Sequence, residues 1–293
     1  MISGLFRLMR PHQWAKQAIV VLPIVSLGLA FSIDDFIQSF IAVITFSLAA
    51  GVVYIFNDLV DFEFDRNDPV RKLRPLAAEE VKRAHAVIFL VLLLALMTTL
   101  NLFFADEAVR SGAILYSYIA INFVYSNFHL KRHNILGITI VSLGFSLRFA
   151  YGSFFLSIQL SYWALVLLME LSLFMLSIKR FQMSTRLNVH PSGISGIHEF
   201  WLLAAVIFAS VFMASFAGFI TSPETQAIWG VNALLLSTIP VALGMVRFIE
   251  VATNFKDYPS TDATDVIVRD IPMLILVAMF VLILVIGRVT VSG

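Results

Sequence analysis

Three aspartates spaced by three and four residues follow directly on an apolar run, in Asn57-Asp58-Leu59-Val60-Asp61-Phe62-Glu63-Phe64-Asp65. If the helix continues past the membrane surface, Asp58, Asp61 and Asp65 lie on one face, and Asn57 neighbours Asp61 there. Like charges at this spacing repel, so the helix gains no stability from them. A divalent cation reverses the sign of that interaction. Mg2+ takes a few carboxylates, several waters and substrate phosphate oxygens, so the stripe suits a diphosphate held through Mg2+. The competing reading is a solvated helix end whose acids keep a loop soluble. Against it, Asn57 and Asp58 abut an apolar span, where unpaired polar groups are costly.

The next residues supply cations: Arg66, Arg71, Lys72 and Arg74 lie within the ten positions that end at Pro75. Arginine is the usual partner for bidentate phosphate contacts, although part of this run must also serve membrane orientation. A second acidic stretch carries Asp257, Asp262, Asp265 and Asp270. A turn-rich connection capping the last span explains it as readily as substrate binding does. It gains weight from falling on the same face as the first stripe.

The elements that position these residues follow from composition. Of 293 residues, 59% are hydrophobic and only 13% charged, and mean hydropathy is +0.90. A soluble chain carries about 25% charged residues, so the bilayer is the expected solvent. A span needs about 20 mostly apolar residues. Nine runs qualify: Gln17–Ser32, Phe36–Asn57, Ala84–Ala105, Val109–Asn127, Ile135–Leu156, Ser161–Lys179, Phe200–Ile220, Ile228–Phe248 and Ile271–Ile286. The expected fold is therefore all-α: one polytopic transmembrane domain over 1–293, with nine helices and a cytoplasmic N-terminus. Pro23 should kink the first span. That run is read as retained rather than cleaved, because the residues before it are polar and basic.

The cations test the count. With the N-terminus inside, 17 of the 20 Lys and Arg residues fall on the inner face, as the positive-inside rule requires. Arg110 and Arg288 fall outside, and Arg148 falls within a span. The two long inner connections, Asp58–Arg83 and Val251–Asp270, carry the acids. The candidate site is therefore expected at the cytoplasmic face of a multi-pass membrane protein. Net charge is +1 and no basic block suggests nucleic acid. There is no cysteine, which excludes disulfides and thiolate chemistry, and the six histidines lack metal-ligand spacing.

Lys16, Lys131 with Arg132, Lys179 and Arg180 sit at inner span ends. Snorkelling and orientation account for them, with phosphate binding as the alternative. Arg148 and Glu170 lie near the middle of adjacent expected spans, where a charge costs about 2.5–3.5 kcal/mol on insertion scales. They either pair with each other, or Arg148 lines a substrate cavity.

Asn57–Asp65 resembles the N-D-x-x-D-x-x-x-D signature of the UbiA-type prenyltransferase superfamily, nine-span helical enzymes with two Asp-rich cytoplasmic motifs. Within it, the chain is most similar to the decaprenyl-phosphate phosphoribosyltransferase branch, which joins phosphoribosyl diphosphate to a polyprenyl phosphate. Arg10-Pro11-His12-Gln13-Trp14-Ala15-Lys16 resembles that branch's R-P-x-Q-W-x-K opening, and Arg74-Pro75-Leu76-Ala77 its R-P-[IL]-A. Tyr125-Ser126 through Lys131, and Gly144 through Arg148, resemble its Y-S-x-x-L-K and G-F-x-L-R segments, and Asp265 through Asp270 its acidic ending. The chain departs at Gly137, where an acid is expected, at Asp68, where His is usual, and in the second loop, which is not a clean D-x-x-x-D.

The resemblance implies Mg2+ as cofactor, and as partners a lipid phosphate, a soluble diphosphate-bearing substrate and membrane lipid. Homo-oligomerisation stays open. Asn57, Asp58, Asp61 and Asp65 would be catalytic, the three aspartates holding the metal. Lys16, Arg66, Arg71, Arg74, Lys131, Arg148, Lys179, Arg180, Asp257, Asp262, Asp265 and Asp270 would bind substrate. The product lipid would serve cell-envelope synthesis. The same residues also fit prenyl transfer from a prenyl diphosphate to an aromatic acceptor. A secondary transporter is a third reading, although transporter sites lie near the midplane and these acids cluster at one face.

Overall fold

Long runs of Leu, Ile, Val, Phe and Ala without strand-like alternation wind as helices, and helices are the regular elements throughout the described residues. The computed structural model describes residues 2–27, 32–128, 134–186, 197–253 and 270–292. It divides into two compact units, 1–165 and 166–293.

The first unit opens with α1 (Ile2–Leu8), a 3-10 segment (Pro11–Leu27), α2 (Ile33–Val60) and α3 (Phe62–Asn67). A 3-10 turn at Arg71–Leu73 leads to α4 (Arg83–Phe104), α5 (Ala108–Asn127) and α6 (Asn134–Phe155). Ser32 and Asp35 close a reciprocal capping box that starts α2. The helix is the centre of the unit: 67% of its most apolar stretch is buried, against α4, α5 and the 3-10 segment. Phe46, Val52, Ile55, Leu115, Tyr118, Tyr151 and Phe155 form the core around it.

The first expected span, Gln17–Ser32, needs correction. Residues 11–27 wind as a 3-10 helix that begins earlier and contains Pro23, and residues 28–31 lie outside the described residues. Pro23 lacks the N–H of a regular ladder. The segment also lies close on α6: a Cβ at Gly152 would collide with the Val20 carbonyl.

The second unit holds most of α7 (Tyr162–Arg186), then α8 (Ile197–Thr221), α9 (Pro223–Trp229), α10 (Val231–Thr253) and α11 (Ile271–Ser292). α10 packs along α11, and Phe174, Phe212, Phe216, Leu234 and Phe248 fill the core.

Six helices, α2, α4, α6, α8, α10 and α11, are long and apolar enough to cross a bilayer. α5 carries Arg110, Asn122 and three tyrosines, and α7 carries Glu170, Lys179 and Arg180; both are less apolar than these six. Only 17% of the apolar stretch of α4 and 6% of that of α11 is buried. A helix that is apolar all round with its faces uncovered belongs in lipid. The chain is an integral, multi-pass membrane protein.

Candidate active site

Asp58 lies in the last turn of α2, and the chain bends at Asp61 before α3. Backbone bonds from Asp61 N–H to the Asn57 carbonyl (2.9 Å) and from Asp65 N–H to the Asp61 carbonyl (2.8 Å) carry the i to i−4 pattern across the bend. Asp58 and Asp65 therefore stay on one side, and both are buried, at 2% and 1% exposure. Asp61 is half-buried between them in sequence.

One guanidinium joins the buried pair. Arg74 Nη1 donates to Asp58 Oδ1 at 3.1 Å and to Asp65 Oδ2 at 2.6 Å. Its loop is built for this. Asp68 Oδ1 accepts the backbone N–H groups of Arg71 and Val70 at 2.8 and 2.9 Å. Those donors, Arg71 first, hold the Asp68 carboxyl below the usual carboxylate range. The 3-10 turn then presents Arg74 at its C-terminal end, and the buried Leu76 and Ala77 anchor the chain beyond it. Arg71 Nη1 stands 3.7 Å from Asp65 Oδ1.

A second guanidinium was not among the expected site residues. Arg10 Nη2 donates to Asp58 Oδ1 at 2.5 Å, and its charge lies 5.0 Å from the Tyr54 ring centre. Arg10 adopts φ 51°, a left-handed conformation that costs a non-glycine residue about 1–2 kcal/mol. The turn out of α1 needs that backbone to aim the side chain at α2. Ser126 was also missed: its hydroxyl donates to Asn57 Oδ1 and fixes that amide. The Arg-Pro opening and the Tyr-Ser pair were the available signals, but neither spacing relates them to α2.

Other cations near the stripe turn elsewhere. Arg66 pairs with Glu79 at 3.5 Å, Arg83 with Glu63 at 2.8 Å, and Arg7 with Glu80 at 2.9 Å. Exposed pairs of this kind contribute about 0–1 kcal/mol. Lys16, Lys179 and Arg180 belong to the 3-10 segment and α7, away from the stripe in sequence. Lys131, Asp257, Asp262 and Asp265 lie outside the described residues.

Asp270 is 1% exposed and committed on both oxygens. Arg247 grips it through Nε at 3.2 Å and Nη2 at 2.8 Å, and Asp270 Oδ1 also accepts the Met273 N–H at 2.9 Å. It thereby caps the start of α11.

Arg148 and Glu170 each find partners inside their own unit. Arg148 donates to Gln17 Oε1 (2.8 Å), the Gly144 carbonyl (2.7 Å) and the Tyr118 hydroxyl (3.1 Å). Glu170 accepts from Ser215 at 2.8 Å.

The donor set at Asp58 and Asp65 fits a hard cation. Asp65 Oδ1 is buried with no hydrogen-bond partner, and a single nitrogen already bridges the two carboxylates. Among the described residues, no group of three or more His, Asp or Glu side chains could hold a metal alone. Any ion here would need waters or phosphate oxygens to complete its shell, the habit of Mg2+.

Residues 19–251 match the UbiA prenyltransferase family. The chain is 34% identical over 181 residues to a decaprenyl-phosphate phosphoribosyltransferase of Corynebacterium glutamicum, covering 61% of this chain and 54% of that one. It is likewise 34% identical over 185 residues to the protein of that name in Mycolicibacterium smegmatis, covering 62% and 57%. The matched stretch thus spans little more than half of these curated relatives. In structure, the chain resembles a UbiA homolog from Archaeoglobus fulgidus bound to GPP and Mg2+, with a TM-score of 0.65 and 13% identity over 99% of this chain and 100% of that one. That likeness shows the fold.

Proposed function

The chain belongs to the UbiA prenyltransferase family, and we propose that it transfers a phosphoribosyl group from phosphoribosyl diphosphate to a polyprenyl phosphate such as decaprenyl phosphate, releasing diphosphate. The observation that carries this reading is the buried Asp58–Asp65 pair with three arginines, Arg10, Arg71 and Arg74, turned onto it. The names borne by the relatives at 34% identity support the same substrates.

The acceptor phosphate is already an anion, so the nucleophile needs no activating base. The barrier lies in losing diphosphate and in carrying positive character on the ribose. Mg2+ would be held by Asp58 and Asp65 together with phosphate oxygens and waters, Asp61 joining through water, and would supply neutralisation of the leaving group. Asn57, fixed by Ser126, orients the donor. Arg74 and Arg10 exchange carboxylate oxygens for phosphate oxygens as substrate enters, and Arg71 adds a third cation. Two anionic substrates repel, and these fixed cations offset that repulsion without reorganising at the moment of reaction. Lys16, Arg66, Lys131, Lys179, Arg180, Arg148 and the acids Asp257, Asp262 and Asp265 complete the proposed substrate contacts, with Asp270 anchoring the end of their loop.

The proposed topology has nine spans, a cytoplasmic N-terminus and the site at the cytoplasmic face of the inner membrane, within one transferase domain. α5 and α7 are 20 and 25 residues long, sufficient in length. The 17 residues of the 3-10 segment, rising about 2.0 Å each, reach about 34 Å against an apolar core of about 30 Å.

The test incubates purified protein with Mg2+, polyprenyl phosphate and labelled phosphoribosyl diphosphate. Mass spectrometry should find a polyprenyl-phosphoryl phosphoribose and free diphosphate. A prenylated phenol formed from prenyl diphosphate, with no such lipid, would establish aromatic prenyl transfer instead.

A further inference from the structure

Deep in the first unit, Arg148 is 6% exposed, and its guanidinium donates to three neutral groups: Gln17, the Gly144 carbonyl and Tyr118. The rings of Phe46, Tyr118 and Phe145 surround it at 5.3, 5.0 and 5.3 Å. Gly144 leaves room beside it: a Cβ there would stand 3.3 Å from Arg148 Nη1. Among the described residues, the buried carboxylates of this unit, Asp58 and Asp65, are taken by Arg10 and Arg74 and not by Arg148. A buried charge is ordinarily paired or functional.

A second observation points the same way. Gln17 is fully buried. Its Oε1 is fixed by the Arg148 Nε–H, and its Nε2 has no hydrogen-bond partner. An amide donor beside a guanidinium with no carboxylate partner among the described residues forms one corner that offers N–H groups and positive charge. Gln13, one turn earlier, accepts from the Tyr54 hydroxyl at 3.1 Å, and the Tyr54 ring lies under Arg10. Tyr54 and Gln13 thus link this corner to the Asp58 cluster.

We propose that Arg148 and Gln17 form an anion subsite beneath the aspartate stripe, which takes a phosphate monoester. The inference rests on the phosphoribosyl reading and deepens it. Two groups in that reaction have this chemistry, the 5-phosphate of the donor and the phosphate of the lipid acceptor. The same fixed charge disfavours an allylic cation at this depth, because an unneutralised guanidinium in a low-dielectric interior repels it. The subsite is therefore also a selector against prenyl diphosphate chemistry.

The test uses Gln17→Glu and Arg148→Lys in the purified full chain. Gln17→Glu places a carboxylate against Arg148, which satisfies the guanidinium internally and should keep or raise Tm. Dissociation constants are measured for ribose 5-phosphate, for a polyprenyl phosphate and for inorganic phosphate. Loss of affinity by about tenfold or more in Gln17→Glu for ribose 5-phosphate alone assigns the donor phosphate, and the same loss for the lipid alone assigns the acceptor. Arg148→Lys, which keeps charge but not the fork, should lose less. If wild type makes the phosphoribosyl lipid while both variants bind all three probes as wild type does, the subsite is overturned and the functional reading stands. If wild type makes no such lipid, yet inorganic phosphate raises its Tm and not that of Gln17→Glu, the subsite stands and the functional reading falls.

Discussion

The buried aspartates of the two units, Asp58 and Asp65 in the first and Asp270 in the second, use arginine in opposite ways. In the second unit, Arg247 takes both oxygens of Asp270, and the first turn of α11 takes one of them again. In the first unit, Arg74 is split between Asp58 and Asp65, Arg10 shares the same Asp58 oxygen, and Asp65 Oδ1 is left without a hydrogen bond. The first arrangement is closed. The Asp58–Asp65 arrangement crowds two guanidiniums onto one Asp58 oxygen and leaves one Asp65 oxygen without a hydrogen bond. A buried pair holds structure when each partner is fully used and breaking it costs about 3–5 kcal/mol. A shared, incompletely bonded set can trade partners with a ligand at much smaller cost.

The largest expected contrast is in turnover. Asp58→Asn and Asp61→Asn should each reduce transfer by at least about a hundredfold, in the range of lost electrostatic stabilisation, with Tm near wild type. Asp270→Asn should instead lower Tm first and leave residual turnover in the folded fraction. Parallel kinetics and thermal unfolding in detergent check this, and a stable, inactive Asp270→Asn would break the distinction.

Removing the arginines should sharpen it through stability. Arg247→Gln removes both guanidinium donors from Asp270 and should lower Tm more than Arg74→Gln does. Arg74→Gln leaves Arg10 on Asp58 and Arg71 near Asp65, so it should cost about 2 kcal/mol, while weakening diphosphate binding more than Arg247→Gln does. Unfolding midpoints and a diphosphate titration on both variants measure the two effects.

A smaller change is expected at Asn57. Ser126→Ala removes the hydroxyl that holds the amide and should cost about 1 kcal/mol, with a severalfold rise in KM for the donor. An unchanged KM would show that Asn57 needs no such support.

The smallest effect concerns Asp68. Backbone N–H groups lower its carboxyl pKa, so its ordering of the Arg71–Arg74 turn is complete above the ordinary carboxylate range. That contribution is lost as pH falls through the lowered value. Asp68→Asn should leave neutral-pH protease resistance of the loop nearly intact and remove its loss in acid; limited proteolysis against pH reads this out.

Much of this architecture was legible beforehand, for definable reasons. Eight of the expected spans coincide with helices of the structure to within a few residues, apart from a longer C-terminal end on α7, α10 and α11, because continuous apolar runs bounded by charges leave little choice of register. The 3-10 winding of 11–27 was not legible, since short-range hydropathy does not distinguish it from an α-helix with a proline. The aspartate stripe and Arg74 could be read because they are local: Arg74 lies 9 residues from Asp65. Arg10 lies 48 residues from Asp58, and Ser126 lies 69 from Asn57, so only the fold brings them together. Arg148 was singled out as a buried charge, but its partners are polar neutral groups that carry no charge pattern to search for.

The most direct measurement is Mn2+ binding, followed by electron paramagnetic resonance with inorganic diphosphate present. The account predicts that wild type and folded Asp270→Asn bind the ion with similar affinity and that Asp58→Asn binds it at least about tenfold more weakly. Equal binding by wild type and Asp58→Asn, or loss confined to Asp270→Asn, would contradict it.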